Sequence, residues 1–186
     1  MSTGSLRVCH LLGELRPSGA ERMLVVAAPD YARMGCVGDV FAFAEQEGEY
    51  ADTLRAAGFP VVHGSVRRRT DILRHVRRHV RRGRYDVLHQ HGERMSFWVA
   101  LLARLQGVRV VRTVHNSFSY TGRLRVYRAV QRALARSIGV RYVAVSASVA
   151  ETERRVLHNP CLVVENWIDV EAFGDVSAAE RAEARA

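Results

Sequence analysis

A chain of 186 residues, 48% hydrophobic and 25% charged, has the length and composition of one globular domain with a sizeable core. Its net charge of +9 rests on arginine alone, as the sequence has no lysine; this favours phosphate-bearing substrates, anionic headgroups or nucleic acid without choosing among them. No apolar run approaches the ~20 residues that span a bilayer, the stretch from Arg7 to Leu12 is too short for a signal peptide, and three scattered cysteines give neither a zinc ribbon nor a disulfide framework, so a cytoplasmic protein is expected.

Hydrophobic periodicity then alternates along the chain. Leu6 to Leu12 reads as a strand, and Ser18 to Met34 as a helix with Met23, Leu24, Val26 and Ala27 toward the core. Val37 to Ala44 is a strand closed by the polar loop Glu45-Gln46-Glu47-Gly48. Glu49 to Ala57 is a short helix ended by Gly58, and Phe59 to His63 a strand. Thr70 to Arg82 is a helix with Ile72, Leu73, Val76 and Val80 on one face. Val87 to Gln90 is a strand, Met95 to Gln106 an apolar helix, and Val108 to Val114 a strand. Leu124 to Ser137 is an amphipathic helix, Arg141 to Val145 a strand, Ala147 to His158 a helix, and Cys161 to Glu165 the last strand.

Strict strand–helix alternation with valine-rich strands predicts an α/β fold: one Rossmann-like, doubly wound domain with a mostly parallel sheet of about seven strands. In such sheets ligands bind beyond the carboxyl ends of the strands, so the loops there carry the candidate residues. After the first strand, Gly13 to Arg22 holds Ser18, Gly19 and Glu21, where a serine can cap the following helix and its free N–H groups can meet an anion. The dinucleotide pattern G-x-G-x-x-G is absent, which argues against NAD.

After the fourth strand come His89, His91, Gly92, Glu93 and Arg94; His89 and His91 fall on one face of the strand. With His115 or Glu93 they could complete a metal site, or they are simply packed and rim histidines. After the fifth strand come His115, Asn116, Ser117, Ser119 and Tyr120, a polar loop. An imidazole there can bond a ligand hydroxyl in either tautomer, or merely order its loop. Ser146 follows the sixth strand and caps a helix whether or not it meets a ligand; no Gly-x-Ser-x-Gly elbow surrounds it.

Four strings, in order, resemble the amino-terminal half of a retaining family 4 glycosyltransferase of the GT-B fold. Ser18-Gly19-Ala20-Glu21 is similar to that family's Gly-Gly-x-Glu loop, with serine for the first glycine. Asp86-Val87-x-His89-x-His91-Gly92 and Thr113-Val114-His115 are similar to its next two segments. Val163 to Phe173, with Asn166-Trp167-Ile168-Asp169 at its centre, resembles its interdomain hinge, with tryptophan for the usual glycine. Glycine permits positive φ where tryptophan resists it, so an altered hinge is expected. The Val145-Ser146 segment also matches.

The resemblance implies residues 1–165 as the acceptor-side domain and 166–186 as hinge and tail, with the nucleotide-sugar domain absent. It implies a nucleotide-diphosphate sugar as donor, with no metal or other cofactor required, and a glycan, lipid-linked or polyol acceptor. It gives His115 the catalytic place facing the transferred sugar. Ser18, Gly19, Glu21, His91, Glu93, Arg94, Asn116, Tyr120, Ser146 and Asn166 become substrate-binding candidates. Such a chain alone is expected to be inactive. The rival from another class is a non-catalytic Rossmann-like module that binds a phosphorylated ligand or a protein.

The run Arg67, Arg68, Arg69, Arg74, Arg77, Arg78, Arg81, Arg82 and Arg84 reads as a solvated helix face, or as a peripheral contact with an anionic membrane surface. Nucleic acid is not favoured, since no interleaved aromatics or helix-turn-helix pattern accompanies the charge.

Overall fold

The computed structural model of the chain describes residues 5–66, 68–170, 181, 183 and 184. Strand and helix alternate without exception: β1 (Leu6–Leu12), α1 (Gly19–Arg33), β2 (Cys36–Ala42), α2 (Ala51–Ala56), β3 (Val61–His63), α3 (Arg69–Gly83), β4 (Val87–Gln90), α4 (Ser96–Leu105), β5 (Arg109–Val114), α5 (Gly122–Ser137), β6 (Arg141–Ala144), α6 (Ala147–Leu157) and β7 (Leu162–Val163). Every expected element forms. The strands make one sheet in the order β3-β2-β1-β4-β5-β6-β7, and every neighbouring pair is parallel. The order reverses between β1 and β4, the switch point beside which ligands bind in such sheets.

Side chains alternate across the sheet, and each face has its own core. Cys9, Leu11, Phe41, Leu88, Val110, Tyr142 and Ala144 point toward α3, α4, α5 and α6, where Ile72, Val76, Val80, Val99 and Ala103 cover them. Leu12, Val40 and Ala42 point the other way, toward α1 and α2 with Leu24, Ala51, Leu54 and Phe59. A fully buried leucine contributes about 2 kcal/mol to such a core. Of the four apolar residues expected on the core side of α1, Leu24 and Ala27 are buried, and Met23 and Val26 are half-buried.

Three local outcomes differ from expectation. Ser18 stands at the N-cap position of α1, yet its side chain makes no cap bond; its hydroxyl donates to the Glu21 carboxylate instead. The last strand has two residues rather than five, and Leu162 and Val163 at the sheet edge are exposed, because no eighth strand or helix among the described residues covers them. The buried side of α5 is Gln131, Arg132 and Ala135, while Leu124, Val126, Tyr127, Val130 and Leu134 stay exposed.

One glycine fixes the base of the first loop. Gly48 has φ +101°, and a Cβ there would stand 2.1 Å from the Leu15 carbonyl oxygen. Leu15 donates to the Glu47 carbonyl and accepts from the Tyr50 N–H, so the loops after β1 and β2 are laced together. The tail from Ser177 to Ala186, the hinge residue Phe173 and Arg67 lie in or largely in the part outside the described residues.

Candidate functional site

Leu12 at the end of β1 with Gly13 beyond it, His91 and Gly92 after β4, and His115 and Asn116 after β5 meet at the switch point. With Ser18, Gly19, Ala20 and Glu21 from the start of α1, and Asn166, they line a pocket of about 430 Å³. Seven of the sequence-expected residues are thereby brought together: Ser18, Gly19, Glu21, His91, His115, Asn116 and Asn166. Glu21 is buried, and its carboxylate stands in the first turn of α1. It opposes the partial positive charge of that helix end.

The floor of this region is a set of imidazoles. The parallel register sets His10 on β1 beside His89 on β4, both on the α1 side of the sheet. Rings of His89 and His91 lie 4.1 Å apart, centre to centre. The Tyr31 hydroxyl is 2.6 Å from His10 Nε2, His10 Nδ1 is 3.3 Å from His91 Nε2, and His91 Nδ1 is 3.0 Å from His115 Nε2. His89 Nε2 bonds the Thr113 hydroxyl at 2.7 Å.

All four histidines are held neutral. Burial is the first cause in each: it pulls His10 and His91 well below the usual histidine range and His89 down to about 4. Neighbouring imidazoles reinforce it at those three. His115 is lowered by burial and then by the Arg112 charge. Desolvation penalises the cationic form.

His10, His89 and His91 each offer a ligand atom within 4.8 Å of one another, the one such group among the described residues. The set differs from the expected trio, because His10 rather than His115 completes it. Both nitrogens of His10 and of His91 are already engaged in the bonds above, so a metal ion would have to break them.

On the opposite face of the same strands lies an ionic network. Glu93 accepts from Arg132 at 2.6 Å and from the Tyr120 hydroxyl at 3.1 Å, and pairs with Arg112. Arg132 reaches on to Glu153 at 3.1 Å, and Asn159 donates to Glu153 at 2.7 Å. Arg112 also bonds the Ser96 hydroxyl. Burial, and then the Arg132 charge, pull the Arg112 guanidinium down to about 10, which still leaves it cationic at neutral pH.

Glu93 and Tyr120 are thus engaged in this network, which ties the loop after β4 to α5 and α6. Arg94 is exposed, and Ser146 caps α6 by accepting from the Val149 N–H at 3.2 Å. None of these four lines the pocket. Sequence reasoning alone misses His10, Tyr31, Arg112, Arg132 and Glu153. The available signal for His10 is its place near the carboxyl end of a strand adjoining His89.

A second cavity, about 210 Å³ and mostly apolar, shares His91 and His115 with the pocket. Met23, Leu24, Ala27, Val111, Val143, Val164 and Trp167 wall it. Trp167 does not take positive φ, and its indole N–H donates to the Met23 carbonyl at 3.0 Å. On the far side of the sheet, Arg74, Arg77, Arg78, Arg81 and Arg82 of α3 line a groove of about 720 Å³ with Leu73 and Leu102. Arg67 and the Arg69 side chain lie outside the described residues. No helix among the described residues is long and apolar enough to cross a membrane.

The family model described as Glycosyltransferase Family 4 matches residues 17–172. Among solved structures, a glycosyltransferase from Rickettsia africae aligns over 97% of this chain and 48% of its own, with a TM-score of 0.75 at 13% identity. Anabaena HepE in complex with UDP aligns over 97% of this chain and 49% of its own, with a TM-score of 0.75 at 16% identity. The UDP-GlcNAc 2-epimerase of Neisseria meningitidis, bound to UDP-GlcNAc, covers 84% of this chain and 46% of its own, with a TM-score of 0.58 at 15% identity. The chain therefore spans about half the length of these structures, and at such identities they speak to the fold: half of a GT-B architecture. No curated protein matches the sequence closely.

Proposed function

This chain belongs to glycosyltransferase family 4, and from that premise we propose that it is the acceptor-binding half of a retaining enzyme that moves a sugar from a nucleotide-diphosphate sugar to a glycan, lipid-linked or polyol acceptor. The observation that carries this reading is the convergence of Ser18, Gly19, Glu21, His91, His115, Asn116 and Asn166 on one pocket at the switch point of the sheet. That HepE was solved with UDP and with UDP-glucose supports a nucleotide sugar as donor class.

In this reading the pocket presents hydroxyl-binding groups more than anion-binding ones. Glu21 already stands at the positive end of α1, so that end draws the hydroxyls of an acceptor rather than a second anion. His115, neutral through burial, bonds the transferred sugar and orients its anomeric carbon for transfer to the acceptor with retention. Stabilisation of the diphosphate then falls to N–H donors and cationic groups of the second half, which makes a metal unnecessary for transfer. The arginine groove of α3 and α4 seats the protein on an anionic lipid surface, near lipid-linked substrates.

The test compares this chain with the gene product carrying a second Rossmann-like half, each incubated with labelled UDP- and GDP-sugars and with lipid-linked and polyol acceptors. The longer protein transfers sugar with retention. The present 186 residues do not, and His115→Ala in the longer protein lowers kcat by roughly 10²-fold. Turnover by the short chain, inversion at the anomeric carbon, or full activity of the His115→Ala protein refutes the proposal. An open reading frame ending at Ala186, with tight binding of a phosphorylated ligand and no transfer, would install the non-catalytic module in its place.

A further inference from the structure

Tyr31, His10, His91 and His115 form an unbroken line of hydrogen bonds with heavy-atom distances of 2.6, 3.3 and 3.0 Å. Each of the two middle rings uses both of its nitrogens. A neutral imidazole has one N–H and one bare nitrogen. The line must therefore run in one direction throughout, because a single ring turned against its neighbours would set two N–H groups, or two lone pairs, face to face.

Two directions are conceivable, and the ends decide between them. If the line starts at Tyr31, its O–H donates to His10 Nε2, His10 Nδ1–H to His91 Nε2, and His91 Nδ1–H to His115 Nε2. Every group is then satisfied, and the spare N–H is on His115 Nδ1. If the line runs the other way, the Tyr31 proton needs a second acceptor, and among the described residues His10 is the one partner of that hydroxyl. Burial pushes the Tyr31 phenol up to about 12, so it keeps its proton and remains a donor. Tyr31 is half-buried beside His10, and a phenol donor left there with no protein acceptor weighs against the reverse direction.

We propose that Tyr31, His10 and His91 are positioning residues that fix His115 as the tautomer protonated on Nδ1, so that His115 meets its ligand as a neutral hydrogen-bond donor and selects an acceptor oxygen. That this oxygen belongs to a sugar rests on the transferase reading; the tautomer itself does not. His89 stands outside the line, since its Nε2 is bonded to Thr113. The line also gives the cluster a role without a metal ion, since the nitrogens that would bind one are the nitrogens that pass the bonds along.

The experiment is a long-range ¹H–¹⁵N correlation spectrum of the histidine side chains of this chain at neutral pH, which distinguishes the two nitrogens of each ring. The expected result is His115 with a protonated Nδ1 and a bare Nε2. Tyr31→Phe keeps the ring against Phe59 but removes the starting donor. In that variant the His115 signals shift toward the averaged positions of a free imidazole. His115 protonated on Nε2 in the unaltered chain, an unchanged His115 pattern in Tyr31→Phe, or one-to-one zinc uptake that strips the protons of His10 and His91 overturns the proposal. If Tyr31→Phe fails to fold, the protonated nitrogen of His115 in the unaltered chain still decides between the two directions. The expected tautomer with no sugar transfer from the longer protein would sink the transferase reading alone, and transfer by a protein with Nε2-protonated His115 would sink the line alone.

Discussion

The indole N–H of Trp167 donates to the backbone carbonyl of Met23 at 3.0 Å, joining the segment after β7 to the first half of α1 across 144 positions of sequence. The tryptophan that displaces the expected glycine thus serves as a clasp, with its ring as one wall of the apolar cavity and its neighbour Asn166 on the polar pocket. Trp167→Gly removes both the bond and the wall, and a loss of about 1–2 kcal/mol is expected. Thermal melting of the two proteins checks it; an unchanged midpoint would mean that the clasp contributes nothing.

Glu93 neutralises two arginines that are themselves almost wholly buried, Arg112 and Arg132. Glu93→Gln leaves the pair with Glu153 as the remaining carboxylate of the network. Removing one partner of a buried ionic group typically costs about 3–5 kcal/mol. Urea denaturation should show a loss near the lower end of that range, because Glu153 persists. The midpoint should fall without a change in slope.

Acid should loosen the fold before it titrates ordinary carboxylates. The four clustered histidines have folded-state values below the usual 6.5, with His89 near 4. Between these limits the unfolded chain binds more protons than the folded one. Stability is therefore full above about pH 6.5 and declines as pH falls toward 4, by on the order of 2–3 kcal/mol from His89 alone. Denaturation at about pH 7.5 and about pH 5 measures the decline, and His89→Gln should flatten it.

Gly48→Ala tests the lacing of the first two loops. Its φ of +101° and the 2.1 Å approach of a Cβ to the Leu15 carbonyl oxygen leave no room for a methyl group. A penalty of about 2 kcal/mol or more is expected. Amide exchange should quicken at Leu15 and Tyr50 ahead of the sheet.

Charge reversal of the α3 groove, by Arg77→Glu with Arg81→Glu, should abolish co-sedimentation with phosphatidylglycerol vesicles, at about 1 kcal/mol for each arginine near the surface. Binding to phosphatidylcholine alone should be weak for both proteins. Retention of binding by the reversed protein would count against the proposed contact of α3 with lipid.

Much of the architecture is legible in the sequence because strand and helix periods alternate so plainly, and glycines such as Gly58 and Gly107 take the positive φ expected of helix ends. The loops that carry Ser18, His91 and His115 can be placed because a parallel sheet puts its strand ends on one side. What stays hidden is pairing across the fold. Arg112 looks like an exposed strand residue until Glu93 is set against it, and Glu153 like a helix-surface acid until Arg132 reaches it. His10 becomes informative only when the order β1-β4 makes it the neighbour of His89. Sequence order carries no direct record of such adjacency.

The pairing of His10 with His89 also makes the histidine cluster a gauge of register. Slippage of β4 by one residue against β1 would turn His89 and His91 to the other face of the sheet and carry Leu88 and Gln90 into their place. The imidazole signals of a correctly folded molecule, shifted by mutual contact, would then revert to those of isolated rings. Refolded or mutated preparations can thus be graded by the same spectrum that reads the His115 tautomer, long before any substrate is in hand.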